Sequence, residues 1–366
     1  EYERAVSLDP SFALAWAGLS RTRTFLFYNS TTVPAGVREA AREAAEKALQ
    51  LAPGLPEGRL AQAYFSNMVE KDPRRALESC RQAPGAPANA DLVECAAQAE
   101  ITLGLFDQAL AHHQQALSLA PRSPSIAQRR AMTLLWLRRY PEAVEAAGTA
   151  IQLAPGNAAV VEIRAMAFLG QGDLAGAKRA ITDASSRILP SDLAVNFALY
   201  WDLMWLLDEG QRRTLFSLSP EAFGDAPSRA LTFAQTHALF GDAQETRRWA
   251  EEARRGYAAT ELQDATPGQA QVAYGLALAY LGRKAEAVRE ANRALELLPI
   301  SRDGYAGPYI QHQVARIHLI LGDREKALDY LEPLLKVPYY LSPAWLRIDP
   351  NFVPLEGHPR FERLAQ

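Results

Sequence analysis

The chain has 366 residues, of which 48% are hydrophobic and 22% charged, and its formal net charge is −3 at pH 7. This charge balance excludes a general electrostatic attraction to nucleic acid, and the absence of a long uncharged apolar run excludes a membrane-spanning helix in this sequence. The length is large for one globular core but suits a one-dimensional stack of repeated elements.

The first elements along the chain are helical. Residues 1–10, EYERAVSLDP, have the pattern of the second helix of a helical pair, and residues 11–53 supply the next complete pair. Because the sequence opens inside such a pair, we expect it to be a fragment of a larger protein. Residues 21–37 carry extra residues between two helices, which predicts an irregular joint or, alternatively, a partner surface.

One phrase then returns along the chain. It reads LGLFDQALAHHQQALSLAP at 103–121 and LRRYPEAVEAAGTAIQLAP at 137–155, so that Pro121 and Pro155 are 34 residues apart. Each copy contains an amphipathic run that ends at the proline, which cannot continue a helix. A period of this length predicts one helix–turn–helix unit copied many times.

Small residues recur at fixed places in this unit. A glycine ends the first helix, and an alanine lets the second helix approach its neighbour closely. The glycines are Gly104, Gly172, Gly241, Gly282 and Gly322, and the alanines are Ala109, Ala143, Ala177, Ala287 and Ala327.

This pattern resembles the tetratricopeptide repeat (TPR) over nearly the whole chain. The marks of that family are a large apolar residue early in the first helix, as at Trp16, then the glycine, two alanines and the closing proline. The resemblance implies an all-α fold, a right-handed α-solenoid of about nine TPR-like helix-turn-helix units. We expect this superhelix to cover residues 1–338 and a C-terminal capping segment to cover residues 339–366.

Residues 191–226 depart from the repeat, since they lack the closing alanines and concentrate aromatic side chains. We interpret this segment as an irregular joint in the array, with a partner or dimer surface as the alternative. The aromatic residues are Tyr200, Trp201, Trp205, Phe216 and Phe223.

The two ends of the chain carry a more specific resemblance. The opening phrases and the tail LSPAWLRIDPNFVPLEGHPRFERL resemble the repeat regions of bacterial signalling proteins. Such regions commonly follow a serine/threonine kinase domain, a winged helix or a cyclase module, sometimes across one membrane helix. Trp345, Phe352 and Phe361 are expected to cover the last apolar face of the array.

The sequence shows no pattern of a catalytic or cofactor site. There is no glycine-rich phosphate loop and no nucleophile elbow, and the adjacent His112 and His113 point about 100° apart on a helix. We therefore expect no enzyme activity, no metal and no cofactor. Cys80 and Cys95 lack metal or redox spacing and are expected to be packing or surface thiols, with a disulfide between neighbouring units as the alternative.

In a stack of helical pairs, the first helices line a concave groove. Long polar, methionine and aromatic side chains at the inner positions of these helices suit adaptable contacts with a peptide or protein. Core packing is the alternative for Trp136, Tyr200 and Met204. The predicted partner-binding residues are Gln98, Gln128, Met132, Trp136, Met166, Tyr200, Met204, Gln235, Tyr280, Tyr309, His312 and Arg316.

These observations predict a non-catalytic protein–protein interaction scaffold, the sensor or docking region of a bacterial signalling protein such as a serine/threonine kinase. One alternative is a dimerisation module that regulates the parent protein, and a remote one is a solenoid that binds a small molecule or glycan. The expected partner is a protein or peptide, with no nucleic acid and no membrane insertion, and a homo-oligomer stays open. The expected compartment is the cytoplasm, or the periplasm if a membrane helix precedes the array.

Overall fold

A computed structural model describes residues 1–29, 36–83, 85–199, 201–259 and 267–366. Within these ranges the chain is helical and contains no β-strand. The chain divides into two compact units, Glu1–Ile126 (unit 1) and Ala127–Gln366 (unit 2). The all-α solenoid class predicted from the sequence is confirmed by the succession of packed helix pairs.

Unit 1 opens with a single helix, which is followed by three pairs whose members pack side by side. Its helices are α1 (Tyr2–Leu8), α2 (Ala13–Asn29), α3 (Val37–Leu51), α4 (Pro56–Met68), α5 (Pro73–Gln82), α6 (Ala90–Thr102) and α7 (Phe106–Leu119).

The pair of α6 and α7 shows why this sequence folds as it does. The Asn89 side chain accepts hydrogen bonds from the first backbone N–H groups of α6 and so caps the helix. Gly104 follows α6 with a φ of 77°, a left-handed conformation that glycine adopts without steric penalty. Ala109 and Ala116 are completely buried, as close packing of two helices requires.

Unit 2 contains most of α8 (Pro124–Trp136) and all later helices. These are α9 (Tyr140–Leu153), α10 (Ala158–Gly170), α11 (Leu174–Ala184), α12 (Pro190–Leu199), α13 (Glu209–Ser217), α14 (Ala226–Leu239), α15 (Ala243–Ala259), α16 (Pro267–Tyr280), α17 (Lys284–Leu297), α18 (Ala306–Ile320), α19 (Arg324–Leu334), α20 (Pro343–Leu346) and α21 (Pro359–Leu364).

The irregular segment 191–226 holds short elements with buried aromatic residues. Short 3₁₀ helices at Met204–Leu206 and Pro220–Phe223 flank α13. The rings of Phe216 and Phe223 lie 5.0 and 5.6 Å from that of Phe233 in α14. Phe223 and Phe233 are buried and Phe216 is half-buried, and this packing within unit 2 favours the interpretation as a joint over that as a partner surface.

The tail has two parts with different surroundings. Its last helix, α21, packs against α19, and Arg360 in α21 pairs with Asp329 and Glu332 at 2.8 and 3.0 Å. Residues 337–349, the C-terminal segment, lie instead against the first helices of unit 2. The predicted covering residues Trp345, Phe352 and Phe361 are all buried.

Candidate functional site

The predicted groove residues differ sharply in exposure. Gln98, Gln128, Met132 and Tyr280 are half-buried, and Tyr200 lies outside the described residues. The expected exposure is wrong for the remaining seven positions, because other parts of unit 2 cover them. The buried positions are Trp136, Met166, Met204, Gln235, Tyr309, His312 and Arg316.

The C-terminal segment is held against the helices of unit 2 by hydrogen bonds that its backbone carbonyl groups accept. Arg138, in the turn between α8 and α9, donates to the carbonyl oxygens of Leu334, Val337 and Leu341 at 2.7, 2.9 and 2.8 Å. One guanidinium thus satisfies three acceptors where α19 ends and the C-terminal segment begins. Donors with a full charge make stronger hydrogen bonds than neutral ones, so Arg138 is a principal anchor of this segment.

Two further contacts hold the same segment. The Tyr140 hydroxyl donates to the Tyr340 carbonyl at 3.0 Å, and the Ser342 hydroxyl donates to the Gly170 carbonyl at 2.7 Å. Burial raises the pKa of Tyr140 to about 12, so its hydroxyl stays a donor at neutral pH.

An aromatic cluster fills the space between the segment and the helices. The indole of Trp136 stacks on Tyr305 at 5.0 Å between ring centroids and meets Trp201 and Tyr340 edge-on at 5.2 and 5.7 Å. Tyr340 in turn lies 4.8 Å from Trp345. Such offset and edge-on contacts stabilise a core beyond the burial of area alone. Trp136 is therefore a core residue of unit 2, as the alternative interpretation of the sequence allowed.

A polar cluster is buried beside these rings. Asp202, which follows α12 with a φ of 57°, accepts hydrogen bonds from Gln235 in α14 and Gln313 in α18 at 2.9 and 2.7 Å. Its carboxylate also lies 2.5 Å from the Arg316 guanidinium, which reaches Asn351 at 3.2 Å. The carboxylate of Asp202 therefore links α14 and α18, and the Arg316 guanidinium extends the cluster to the tail.

The surroundings of the cluster keep Arg316 charged and His312 neutral. Burial opposes the charge of Arg316, but Asp202 and Tyr280 outweigh it and hold the pKa of Arg316 above its usual value. Burial, together with the positive charge of Arg316, lowers the pKa of His312 to about 3. His312 is consequently neutral at physiological pH, with Nδ1 at 3.1 Å from the hydroxyl oxygens of Tyr339 and Tyr340.

The groups of the polar cluster pair with one another. Asp202 pairs with Arg316, and the imidazole of His312 lies within hydrogen-bond distance of two tyrosine hydroxyls. Among the described residues, no group of three histidine, cysteine, aspartate or glutamate side chains is placed to hold a metal ion. None of the described helices is long and apolar enough to cross a membrane.

The first helices of unit 1 present a different surface. Leu14 and Arg21 lie two helical turns apart on α2, and the Arg21 guanidinium lies 5.4 Å above the ring of Tyr64 in α4. The Tyr64 hydroxyl donates to Glu94 in α6 at 3.3 Å, and Gln98 lies one turn further along α6. We call these five side chains the first-helix face of unit 1, in which Tyr64 and Glu94 are buried and the other three are at least partly exposed.

Sequence reasoning missed Asp202, Arg138 and the contact of the C-terminal segment with the helices that begin unit 2. Arg138 stands 34 residues after Gly104, at the turn position where other units have glycine, and it adopts the same left-handed conformation with a φ of 58°. Lys71 has the same conformation in unit 1 with a φ of 57°, so a long cation at this turn position does not by itself indicate such a contact.

The comparisons with known proteins concern the fold. No protein-family model and no curated protein matches the sequence. Among solved structures, PilF of Pseudomonas aeruginosa is 16% identical, with a TM-score of 0.42 and coverage of 68% of this chain and 93% of that one. TTC0263, a TPR protein of Thermus thermophilus, is 21% identical, with a TM-score of 0.38 and coverage of 50% and 92%. YrrB, a TPR protein with an unusual peptide-binding site, is 16% identical, with a TM-score of 0.37 and coverage of 51% and 91%. The likeness at these values is one of stacked helix pairs and carries no argument about binding.

Proposed function

We propose that this chain is a non-catalytic scaffold that binds a protein or peptide on the first-helix face of unit 1. The observation that carries the proposal is a contrast between the two units. In unit 2 most of the predicted groove positions, among them Trp136 and Arg316, are buried, whereas in unit 1 Leu14 is 47% exposed and Arg21 and Gln98 are half-buried. Helix faces that combine apolar, cationic and amide groups suit recognition of an amphipathic segment.

The chemistry of this face indicates the kind of segment. Leu14 offers an exposed apolar contact, and Gln98 offers both a donor and an acceptor. Arg21 is half-buried, and its guanidinium lies above the ring of Tyr64. A partner that brings a carboxylate to the exposed part of this guanidinium and an apolar side chain to Leu14 would match both groups.

The second part of the proposal concerns the class of protein to which this scaffold belongs and its compartment. We assign the scaffold to the docking region of a bacterial signalling protein, such as a serine/threonine kinase, with the cytoplasm as its compartment. Its support is the resemblance of the opening phrases and the tail to such regions. Reading the coding sequence upstream of Glu1 tests this assignment, since an upstream kinase, winged-helix or cyclase domain supports it and an unrelated enzyme domain contradicts it.

The binding surface is tested with a charge-matched pair of double variants. Leu14→Asp with Gln98→Glu places two carboxylates on the first-helix face, and Leu119→Asp with Gln108→Glu places two on the second helix α7. Captured proteins are identified by mass spectrometry, and a peptide from the best-enriched partner is titrated by calorimetry. We expect at least tenfold weaker binding for the first variant and unchanged binding for the second, a difference of about 1.4 kcal/mol or more. Equal affinities for both variants would exclude this face.

The same preparations also test self-association. If light scattering shows a dimer that the first double variant dissociates, the partner of this face is a second copy of the chain. A monomer at all concentrations leaves a foreign segment as the partner.

A further inference from the structure

The two cysteines of the chain meet in the core of unit 1. Cys80 lies on α5 and Cys95 on α6, and their Sγ atoms are 2.8 Å apart. Both are free thiols, with 1% and 3% of their surfaces exposed. The two sulfur atoms are thus closer than ordinary van der Waals contact, which is about 3.5–4.0 Å even between carbon atoms.

The surrounding packing holds the thiols in this position. Tyr64, Leu77 and Leu92 belong to the same buried cluster as the two cysteines. Helix α5 is the second helix of one repeat unit and α6 is the first helix of the next, so the thiols face each other across the interface between neighbouring units. In a repeat array this interface determines how strongly one unit stabilises the next.

We propose that Cys80 and Cys95 form a disulfide that links these two repeat units, made by exchange with a small disulfide such as oxidised glutathione. The thiolate of one cysteine attacks a sulfur of oxidised glutathione, which forms a mixed disulfide and releases one glutathione thiolate. The thiolate of the second cysteine then attacks the protein sulfur of that mixed disulfide and releases the other glutathione. Two protein thiols are oxidised, and one oxidised glutathione is reduced to two glutathione molecules.

Burial controls when this exchange takes place. The hydrogen bond with Cys80, together with burial, raises the pKa of Cys95 well above its usual value, so Cys95 is a thiol in the closed structure. The attacking thiolate therefore forms when α5 separates transiently from α6, or before unit 1 has folded. Once made, the bond is enclosed in the core and protected from reducing thiols.

The disulfide acts on the stability of unit 1. It closes the chain between residues 80 and 95, which includes the 3₁₀ helix Ala86–Ala88 that connects α5 to α6. Restricting this connection removes conformations from the unfolded chain and raises the stability of the folded one. It also fixes α6, the helix that carries Gln98. The proposal stands independently of any partner, because its test requires no binding.

The experiment equilibrates the full chain in glutathione buffers that range from fully reduced to fully oxidised. Samples are quenched with acid, alkylated in denaturant and analysed by intact mass and peptide mapping. We expect the oxidised chain to be about 2 Da lighter than the reduced chain and to yield one cross-linked peptide containing Cys80 and Cys95. Its melting temperature should be higher by about 5–10 °C.

Three outcomes would overturn the proposal. They are two alkylated thiols in the most oxidised buffer, a glutathione adduct on each cysteine without the cross-link, and a disulfide between two chains. The variant Cys80→Ala with Cys95→Ala serves as the control, since its melting temperature should be the same in both buffers. If that variant does not fold, the mapping of the unchanged chain still decides between these outcomes.

Discussion

The guanidinium of Arg316 lies 2.5 Å from the carboxylate of Asp202, and both side chains are buried in unit 2. The same carboxylate accepts hydrogen bonds from Gln235 and Gln313, so its acceptor capacity is largely used. A buried ion pair is strongly destabilised when one partner alone loses its charge, because the other charge stays in a medium that solvates it poorly.

The first prediction is that Asp202→Asn destabilises the protein by about 3–5 kcal/mol. Asparagine tolerates the left-handed conformation at this position, so the loss comes from the unpaired charge of Arg316 and not from the backbone. Adding Arg316→Met removes that charge and should recover about half of the loss. Urea unfolding followed by circular dichroism measures both changes.

An exposed ion pair provides the control for this prediction. Glu209 and Arg213 form a pair on the surface of α13. Glu209→Gln should change stability by about 1 kcal/mol or less. A loss for Asp202→Asn no larger than that of this control would show that the cluster does not support the fold.

The repeat itself was predictable from the sequence because its determinants are local. Gly104 ends a helix through its own backbone conformation, and Ala109 is completely buried on α7, which packs against α6 of the same pair. Each such residue acts within one turn or one pair, so a period of 34 residues carries enough information to predict the helix pairs.

The buried interior of unit 2 was not predictable in this way. Arg138 and Leu341 are separated by 203 positions, and no periodic pattern connects them. Most of the predicted groove positions lie on first helices, as the repeat pattern indicates. Whether their side chains are exposed depends on which distant segments pack over those helices. Trp136 is covered by Tyr305, Trp201 and Tyr340, which come from three distant parts of the sequence.

The second prediction concerns the anchor of the C-terminal segment. Arg138→Met removes three charged hydrogen bonds and should cost about 3 kcal/mol, since hydrogen bonds to charged groups contribute more than neutral ones. Arg138→Gly loses the same bonds but relieves the left-handed conformation of a non-glycine residue, so its cost should be lower by about 1 kcal/mol.

Hydrogen exchange distinguishes a local effect at this anchor from a general one. Amides of residues 337–346 should exchange faster in both variants, whereas those of α6 in unit 1 should not change. Arg139→Met serves as the control, because Arg139 is exposed and pairs with Glu142 in α9 rather than with the C-terminal segment's carbonyl groups that Arg138 binds. Unchanged protection of residues 337–346 in Arg138→Met would contradict the anchoring role.

The third prediction is a loss of stability in acid that depends on His312. Burial and the charge of Arg316 lower the pKa of His312 from 6.5 to about 3, so the unfolded chain binds a proton below pH 6.5 that the folded chain does not. The contribution of neutral His312 to stability is complete above pH 6.5 and is lost as the pH falls towards 3.

The variant His312→Asn tests this prediction, because asparagine keeps a polar atom near Tyr339 and Tyr340 and cannot be protonated. The stability deficit of this variant is the amount by which its free energy of unfolding falls below that of the natural chain. This deficit should be smaller at pH 4.5 than at pH 7.5 by about 2–3 kcal/mol. A constant deficit over this range in thermal unfolding would contradict the assignment.

The fourth prediction has the opposite sign and concerns Glu162 in α10. Burial raises the pKa of Glu162 well above 4.5, and the Asn196 amide only partly offsets this effect. Above pH 4.5 the folded chain therefore holds a proton that the unfolded chain releases, so the contribution of Glu162 to stability falls as the pH rises. Glu162→Gln has nearly the same shape without the charge and should be about as stable as the natural chain at pH 4.5. At pH 8 it should be more stable, by about 1.4 kcal/mol for each unit by which the pKa of Glu162 is raised.

Glu142→Gln is the control, because Glu142 is exposed and Arg139 holds its pKa below the usual value, so this variant should gain nothing at pH 8. If Glu162→Gln and the natural chain lose stability in parallel from pH 4.5 to pH 8, Glu162 is not protonated in the folded protein.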